Sequence, residues 1–211
     1  MTAAFITFEG GEGAGKSTQI GRLAERLKSA GRGVLLTREP GGTGEAEAVR
    51  SLLVSGDIGR WTPEAEALLN YAARDSHLVK AIRPALAKGT IVLCDRFMDS
   101  TRAYQGYAGN CPKELIDTLE QVIVGATRPD LTLIFDLPPE AGLARAKGRG
   151  DALAEDRYER KGLAFHDSLR CGFLDIAAKE PGRCRIVDAT APADAVANAV
   201  WQLVSEALSH G

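Results

Sequence analysis

Residues 10–17 read Gly10-Gly11-Glu12-Gly13-Ala14-Gly15-Lys16-Ser17 and match the phosphate-loop pattern G-x-x-x-x-G-K-[ST] at every fixed position. The stretch lies between an apolar run at 3–8, which has the length of a strand, and a segment at 18–30 with helical periodicity. A strand, a glycine turn and a helix N-terminus bring several backbone N–H groups to one anion. Lys16 would add a point charge for the outer phosphates, and Ser17 would offer a hydroxyl to Mg²⁺. The alternative is a glycine-rich turn that caps a helix.

The bulk properties describe an ordinary globular chain. It has 211 residues, 45% hydrophobic and 26% charged, with a net charge of −2. We therefore expect one α/β domain over 1–211, with neither nucleic acid nor a membrane as a partner. No leader signal precedes the first strand, so a cytoplasmic protein is the simplest interpretation. The cysteines stand at wide spacings that favour reduced thiols over a zinc site: Cys94, Cys111, Cys171 and Cys184.

Short apolar runs alternate with helical segments along the chain. The predicted strands are 3–8, 33–37, 90–94, 131–136 and 184–188. They are nearly continuous in hydrophobicity, which is typical of parallel strands buried on both faces. The predicted helices are 16–30, 44–55, 63–88 with a break near Pro84, 99–107, 112–125, 139–147, 158–179 and 192–209. This alternation predicts a five-stranded parallel sheet with helices on both faces.

In such a sheet ligands bind beyond the carboxyl ends of the strands, so the residues that follow each strand matter most. Asp95 follows a buried strand and is expected to hold Mg²⁺ with Ser17; the alternative is a helix N-cap. Arg96 and Arg38 follow two different strands, and two guanidinium groups there indicate a second phosphate site. For Arg38 the alternative is a surface pair with Glu39.

A charged, glycine-spotted stretch at about 145–157 is a candidate lid, and its cations are Arg145, Lys147, Arg149 and Arg157. Spacing places Arg145 and Arg149 on one helix face, where they could stabilise a transferring phosphoryl group together. The alternative is a solvated basic helix end. Glu12, inside the loop, would repel phosphates and is expected to face the second substrate, or else solvent.

Together these features make the chain resemble the thymidylate kinase family over essentially its whole length. The segments that carry the resemblance are the phosphate loop, the R-E-P-G-G-T stretch at 38–43, D-R-F-M-D-S-T-R-A-Y-Q-G at 95–106, R-P-D-L-T at 128–132 and D-R-Y-E at 156–159. The resemblance implies the P-loop NTPase-type fold and ATP-dependent, Mg²⁺-dependent phosphorylation of dTMP to dTDP in dTTP synthesis. It also implies a homodimer, with which the helices at 63–88 and 112–125 are compatible.

The resemblance also implies roles for individual residues. Those implied for ATP are Gly10, Gly11, Glu12, Gly13, Ala14, Gly15, Lys16, Ser17, Thr18 and Arg145, with Arg149 reaching the transferred group. Those implied for dTMP are Glu12 on the 3′-hydroxyl, Arg38 and Arg96 on the phosphate, Arg74 at the thymine ring, and Asn70, Asp95, Ser100, Thr101, Tyr104 and Gln105 around the base and sugar. The catalytic set is Lys16, Arg149, Glu12 and Arg96.

Two positions sort the chain within the family. Gly13 stands where many members carry a loop arginine, so the chain resembles the bacterial type that places arginines in the lid instead. Asn70 stands where the family usually has a phenylalanine that stacks on thymine. Stacking contributes about 1–3 kcal/mol per base, so base binding should weaken unless Tyr71, Tyr104 or Tyr107 substitutes or the alignment with the family shifts by one residue.

Three other interpretations predict different sequence features. Another nucleoside monophosphate kinase would share the loop and lid but not the segments at 38–43 and 95–106. A switch GTPase would carry N-K-x-D and D-x-x-G motifs, and neither is found. An inactive nucleotide-binding scaffold would have lost Lys16 or Asp95, and both are present.

Overall fold

The computed structural model describes residues 3–147 and 157–209 and contains one five-stranded parallel sheet. Its strands are β1 (Ala4–Gly10), β2 (Val34–Arg38), β3 (Ile91–Asp95), β4 (Leu131–Asp136) and β5 (Cys184–Asp188). Their order is β2-β3-β1-β4-β5, and every neighbouring pair is parallel. The predicted fold class is confirmed, and each strand lies within two residues of its predicted bounds.

The strand register places the candidate site at one edge of the sheet. Phe8 of β1 pairs with Asp95 of β3, and Asp95 pairs in turn with Arg38 of β2. The carboxyl ends of these three strands therefore meet. The connection after β1 leads to β2 on one side of the sheet, and the connection after β3 leads to β4 on the other side. The crevice between these two connections is where an open α/β sheet binds ligands.

Helices cover both faces of the sheet. They are α1 (Lys16–Ser29), α2 (Gly44–Val54), α3 (Pro63–His77), α4 (Arg83–Ala87), α5 (Met98–Thr101), α6 (Lys113–Leu119), α7 (Pro139–Lys147), α8 (Leu163–Lys179) and α9 (Ala193–Ser209). Within the part of the chain that the structure describes, π-helical segments extend α3, α5 and α6: Leu78–Ile82, Arg102–Tyr107 and Glu120–Val124. The predicted break near Pro84 thus takes the form of a widened turn before α4, with Pro84 in the first turn of that helix.

Two predictions about the elements were wrong. The helix predicted over 158–179 begins only at Leu163. Residues 157–160 form turns instead, and their side chains are hydrogen-bonded to other parts of the chain. The edge strands β2 and β5 are not buried on both faces, since Leu36 is 44% exposed and Ile186 is 52% exposed. Only the central strands β1, β3 and β4 follow the fully buried pattern.

The core has two layers because successive residues of a strand point to opposite faces. On one face, Ile6 and Phe8 of β1 pack with α1 and α9. On the other face, Phe5 packs with residues of α3, β3 and the π-helical segments. Both layers hold the end of β1 rigidly, and the glycine loop leaves from that end.

Candidate active site

The glycine loop connects β1 directly to α1. Gly15 is the N-cap of α1 with φ 82°, a left-handed conformation that glycine adopts without steric cost. Gly13 has φ 67°, and a Cβ built on it would overlap the carbonyl oxygen of Gly142 in α7. A Cβ on Gly142 would overlap the carbonyl oxygen of Glu12 in return. The loop therefore rests backbone to backbone on α7, and this contact admits no side chain at Gly13.

Lys16 lies at the start of α1 with its ammonium turned over the loop. Nζ donates to the carbonyl oxygens of Gly10 at 3.1 Å and Gly11 at 2.8 Å. Burial, and then the nearby Arg96, lower the pKa of Lys16 to about 8. An anion in the loop would stabilise the charged ammonium, so this lysine is poised to respond to a phosphate.

Ser17 and Asp95 meet across the gap between α1 and β3. The Ser17 hydroxyl donates to Asp95 Oδ2 at 2.9 Å. Asp95 caps no helix, because the N-cap of α5 is Phe97 and has no side-chain cap bond. A hydroxyl and a carboxylate in contact are hard oxygen ligands of the kind that Mg²⁺ takes, usually from only one or two protein groups.

Arg96 follows Asp95 in a left-handed conformation with φ 68°, which is uncommon for a residue other than glycine. Its Nη1 donates to the Gly10 carbonyl at 2.9 Å and to the Ser100 hydroxyl at 3.3 Å. Its Nη2 donates to Glu12 Oε1 at 2.8 Å. These bonds aim the guanidinium across the loop rather than away from it.

Glu12, the partner of Arg96, accepts a second hydrogen bond. The Tyr104 hydroxyl donates to the same Oε1 atom at 2.7 Å. Although burial opposes ionisation, Arg96 and then Lys16 hold the pKa of Glu12 down to about 2. Glu12 is therefore a carboxylate at neutral pH, and it faces the side of the cleft occupied by Arg96 and Tyr104.

Glu9 is a buried acid that the sequence analysis did not single out. Its carboxylate accepts from the Phe97 backbone N–H at 2.8 Å and from the Ser100 hydroxyl at 2.6 Å. Burial raises its pKa to about 8, and the neighbouring Asp99 acts in the same sense. Its position directly after an apolar run of six residues was the available signal.

Arg74 of α3 is almost fully buried behind the cleft. Nε donates to Glu39 Oε2 at 2.7 Å, and Nη2 donates to Thr101 Oγ1 at 3.1 Å. Glu39 is also in contact with His77 at 2.9 Å, so the alternative interpretation, a surface pair of Arg38 and Glu39, is not what the structure shows. Arg74 Nη1 is buried and has no partner among the described residues. A buried donor without a partner costs free energy, which a ligand carbonyl would recover.

Arg38 and Asn70 lie on the same cleft but are less constrained. The Arg38 side chain is 52% exposed and donates to Glu47 at 3.2 Å. Asn70 Nδ2 donates to the main-chain oxygen of Glu66 at 2.8 Å. Among the candidate substitutes for the missing stacking ring, Tyr104 lines the cleft, whereas Tyr71 and Tyr107 do not.

Gln105 belongs to a buried polar cluster at the far end of the cleft. Its Nε2 donates to Glu66 Oε2 at 2.8 Å, and the Tyr158 hydroxyl donates to the same carboxylate at 3.1 Å. Arg157 donates to Glu66 Oε1 and to the carbonyl oxygens of residues 53, 57 and 58. Arg157 was predicted to be one of the lid cations; the structure buries it fully, away from the cleft.

One cleft of about 760 Å³ joins these groups. Most of the predicted site residues line it: Glu12, Gly13, Ala14, Gly15, Lys16, Ser17, Arg38, Asn70, Arg74, Asp95, Arg96, Ser100, Thr101, Tyr104 and Gln105. Gly10, Gly11 and Thr18 lie in the loop and α1 but do not line it, and Arg145 instead donates to the Ala189 carbonyl at 3.1 Å. Arg149 lies outside the described residues, as does most of the predicted lid.

Comparison with known proteins agrees with this geometry. The family model described as "Thymidylate kinase" matches residues 8–200. A thymidylate kinase from Caulobacter vibrioides is 59% identical over 204 residues, covering 97% of each chain. One from Rhodopseudomonas palustris is 54% identical and covers 95% of this chain and 87% of the relative.

A solved structure is similar as well. The crystal structure of thymidylate kinase from Ehrlichia chaffeensis superposes with a TM-score of 0.77 at 36% sequence identity. The match covers 97% of this chain and 99% of the other. A phosphate loop, an arginine-lined acceptor end and full-length similarity all lead to one assignment. The chain belongs to the thymidylate kinase family.

Proposed function

We propose that this chain, an ATP-dependent kinase that converts dTMP to dTDP, transfers the phosphoryl group directly and in line between two anions held end to end. The observation that carries the proposal is that Arg96 and Lys16 both reach the Gly10 carbonyl, at 2.9 Å and 3.1 Å. Two cations meeting at one atom mark the point where two phosphate groups would approach. Catalysis is then mostly positioning and charge stabilisation.

The donor end is the glycine loop. Backbone N–H groups of residues 10–17 would hold the β- and γ-phosphates of ATP, with Lys16 as the mobile charge between them. Thr18 follows at the exposed start of α1, and Arg145 lies near the β5–α9 connection, where it would meet the nucleoside part.

Ser17 and Asp95 would hold Mg²⁺ on the donor phosphates. Within the described residues no group of three or more acidic, histidine or cysteine side chains could hold a metal alone. This fits Mg²⁺, which is commonly held by one or two protein oxygens together with substrate phosphates and water. When bound, the ion would neutralise charge on the phosphate oxygens.

The acceptor end is set by guanidinium groups. Arg96, fixed by Glu12 and Ser100, would bind the dTMP phosphate, and the more exposed Arg38 would close on it. Glu12, ionised and hydrogen-bonded to Tyr104, would accept from the sugar 3′-hydroxyl. Ser100, Thr101, Tyr104 and Gln105 would surround the base and sugar, and Arg74 Nη1 would donate to a thymine carbonyl.

The experiment is an ADP-release assay with a panel of acceptors: dTMP, dUMP, dCMP, dGMP and dAMP. We expect dTMP to give the highest kcat/KM. A different preferred acceptor would contradict the assignment of the acceptor end. The second candidate, another nucleoside monophosphate kinase, would be supported by that outcome only.

We also propose a cytoplasmic homodimer built on α3 and the helical stretch 113–124. Leu68 is 51% exposed, Val79 is 53% exposed and Val122 is 73% exposed, all on this side of the sheet. Large apolar side chains on neighbouring helices favour association with a second copy. Val122→Glu should shift the mass measured by light scattering from dimer to monomer, and an unchanged mass would reject this interface. Within 3–147 and 157–209, no helix has the length and apolarity needed to cross a bilayer.

A further inference from the structure

Glu66 stands at the centre of the buried polar cluster and does not itself line the cleft. It lies near the start of α3 and is 2% exposed. Its carboxylate accepts from three side chains, Gln105, Tyr158 and Arg157. Gln105 lines the cleft, while Arg157 is fully buried behind it. Glu66 therefore connects the cleft wall to Arg157 and Tyr158, at the end of the candidate lid.

The contacts of Gln105 account for its two amide hydrogens. Nε2 donates to Glu66 Oε2 at 2.8 Å and, at the longer distance of 3.4 Å, to the Tyr158 hydroxyl. The other amide atom, Oε1, accepts from none of the described residues, yet it is not among the buried atoms that lack a partner. Oε1 is thus the polar atom of Gln105 that remains for a ligand in the cleft.

We propose that Glu66 is a positioning residue that fixes the Gln105 amide with its carbonyl oxygen toward the acceptor base, and so selects bases that carry a ring N–H. The proposal deepens the proposed function and rests on it, because it takes the base to lie against Gln105. An ionised carboxylate can only accept hydrogen bonds. The amide must therefore turn its NH₂ group toward Glu66 and its oxygen away.

Arg157 forms an ion pair with the Glu66 carboxylate, and this pair leaves Glu66 as a hydrogen-bond acceptor. The Arg157 guanidinium contacts Glu66 and also donates to three main-chain carbonyls, two of them at 2.9 Å and one at 3.1 Å. A buried carboxylate is stable only when it is paired and hydrogen-bonded. The ion pair therefore keeps the NH₂ group of Gln105 turned toward Glu66 and its carbonyl oxygen turned away.

A neighbouring side chain supplies the complementary polarity. Among the described residues, Arg74 Nη1 is a buried donor without a partner, and Arg74 is bonded to Thr101 at 3.1 Å, four residues before Gln105 on the same helical stretch. A donor beside an acceptor matches the O4 and N3–H edge of thymine. Cytosine presents the reverse, an amino donor and an unprotonated ring nitrogen, so it would leave buried groups unpaired.

The test is the ratio of kcat/KM for dTMP to that for dCMP. Glu66→Gln replaces an obligate acceptor by an amide that also donates, so Gln105 is no longer fixed. We expect the ratio to fall by at least about tenfold, mainly through a higher KM for dTMP, with kcat changing less. Glu64→Gln, two residues earlier in α3, is the matched control and should keep the wild-type ratio.

A double-mutant cycle separates this role from a merely structural one. Gln105→Leu should lower the ratio on its own while leaving the Glu66–Arg157 pair intact. Adding Glu66→Gln to it should lower the ratio no further, because the two residues act through one contact. A second drop of equal size would overturn the proposal, as would an unchanged ratio in either single variant.

Failure of the proposed function and failure of the role of Glu66 give different results. If Glu66→Gln does not fold, Glu66→Asp keeps the negative charge beside Arg157 but shortens the side chain by one methylene group, so the bond to Gln105 lengthens and a fall in ratio is expected again. If the wild-type enzyme does not prefer dTMP at all, it is the proposed function that fails. If it prefers dTMP but the Gln105→Leu ratio is unchanged, the proposed function stands and the roles of Gln105 and Glu66 in base selection fail.

Discussion

Arg96 Nη2 donates to Glu12 Oε1 at 2.8 Å, so the cation of the acceptor end is bound to the one acid of the glycine loop. The contact ties β3 to the loop that follows β1. It also explains why a carboxylate is tolerated beside bound phosphates: Arg96 and Lys16 balance its charge. A substrate phosphate would meet a guanidinium that is already oriented.

Replacing Arg96 should therefore weaken acceptor binding strongly. Charge-assisted hydrogen bonds contribute about 1.5–3 kcal/mol, so Arg96→Ala should raise the KM for dTMP by about ten- to a hundredfold. Arg38→Ala should have a smaller effect, because Arg38 is half exposed. Steady-state kinetics check this, with Arg22→Ala on the α1 surface as the control. An unchanged KM in Arg96→Ala would remove Arg96 from the phosphate site.

The pKa of Lys16, lowered to about 8, predicts that ATP binding depends on pH. The ammonium is charged below that pH and loses its proton above it, so the Kd for ATP should rise as pH increases through about 8. Lys16→Arg keeps its charge and should bind ATP with a flatter profile, as measured by calorimetry. Lys28→Arg, later in α1, should keep the wild-type profile; a flat wild-type profile would contradict the role of Lys16.

Arg149 is proposed to act on the transferring group, and this predicts a split between kinetic parameters. An arginine at the transition state contributes about 10³–10⁵ in kcat, so Arg149→Ala should lower kcat far more than it raises the KM for dTMP. Arg145→Ala should instead act on the KM for ATP. An Arg149→Ala enzyme with normal kcat would exclude this role.

Asn70 lies on the cleft where a stacking ring is expected. Because stacking contributes about 1–3 kcal/mol, Asn70→Phe should lower the KM for dTMP by about five- to a hundredfold. Asn70→Leu loses the same bond to the Glu66 main chain without supplying a ring, so it is the matched control. A weaker dTMP affinity in Asn70→Phe would mean that the base lies elsewhere in this cleft.

Glu9 predicts a pH dependence of stability. Its pKa in the folded chain is about 8, well above its ordinary value of 4.5. Between those values the folded chain keeps a proton that the unfolded chain releases, so the free energy of unfolding falls as pH rises through this window. Glu9→Gln should flatten the dependence in urea titrations, whereas Glu140→Gln on the surface should not. The wild-type slope in Glu9→Gln would contradict the assignment.

Much of this molecule could be predicted from local patterns. The glycine loop, the five strands and the residues after β1, β2 and β3 are specified by short stretches, and parallel topology then brings them together. The burial of Glu9, Glu39 and Glu66 was missed because the hydrogen-bond partners of their carboxylates lie 35 to 92 residues away. Arg157 was misplaced for the same reason: a basic run indicates a solvated face, and only the tertiary fold reveals Glu66 opposite it.

The contact between Gly13 and Gly142 has an evolutionary consequence. At position 13 this chain has only the width of a backbone between the loop and α7. A single codon change at Gly13, to arginine for example, would therefore push α7 off the loop before the new side chain could supply any catalytic charge. Packing rather than chemistry thus restricts this position to glycine unless α7 is displaced first.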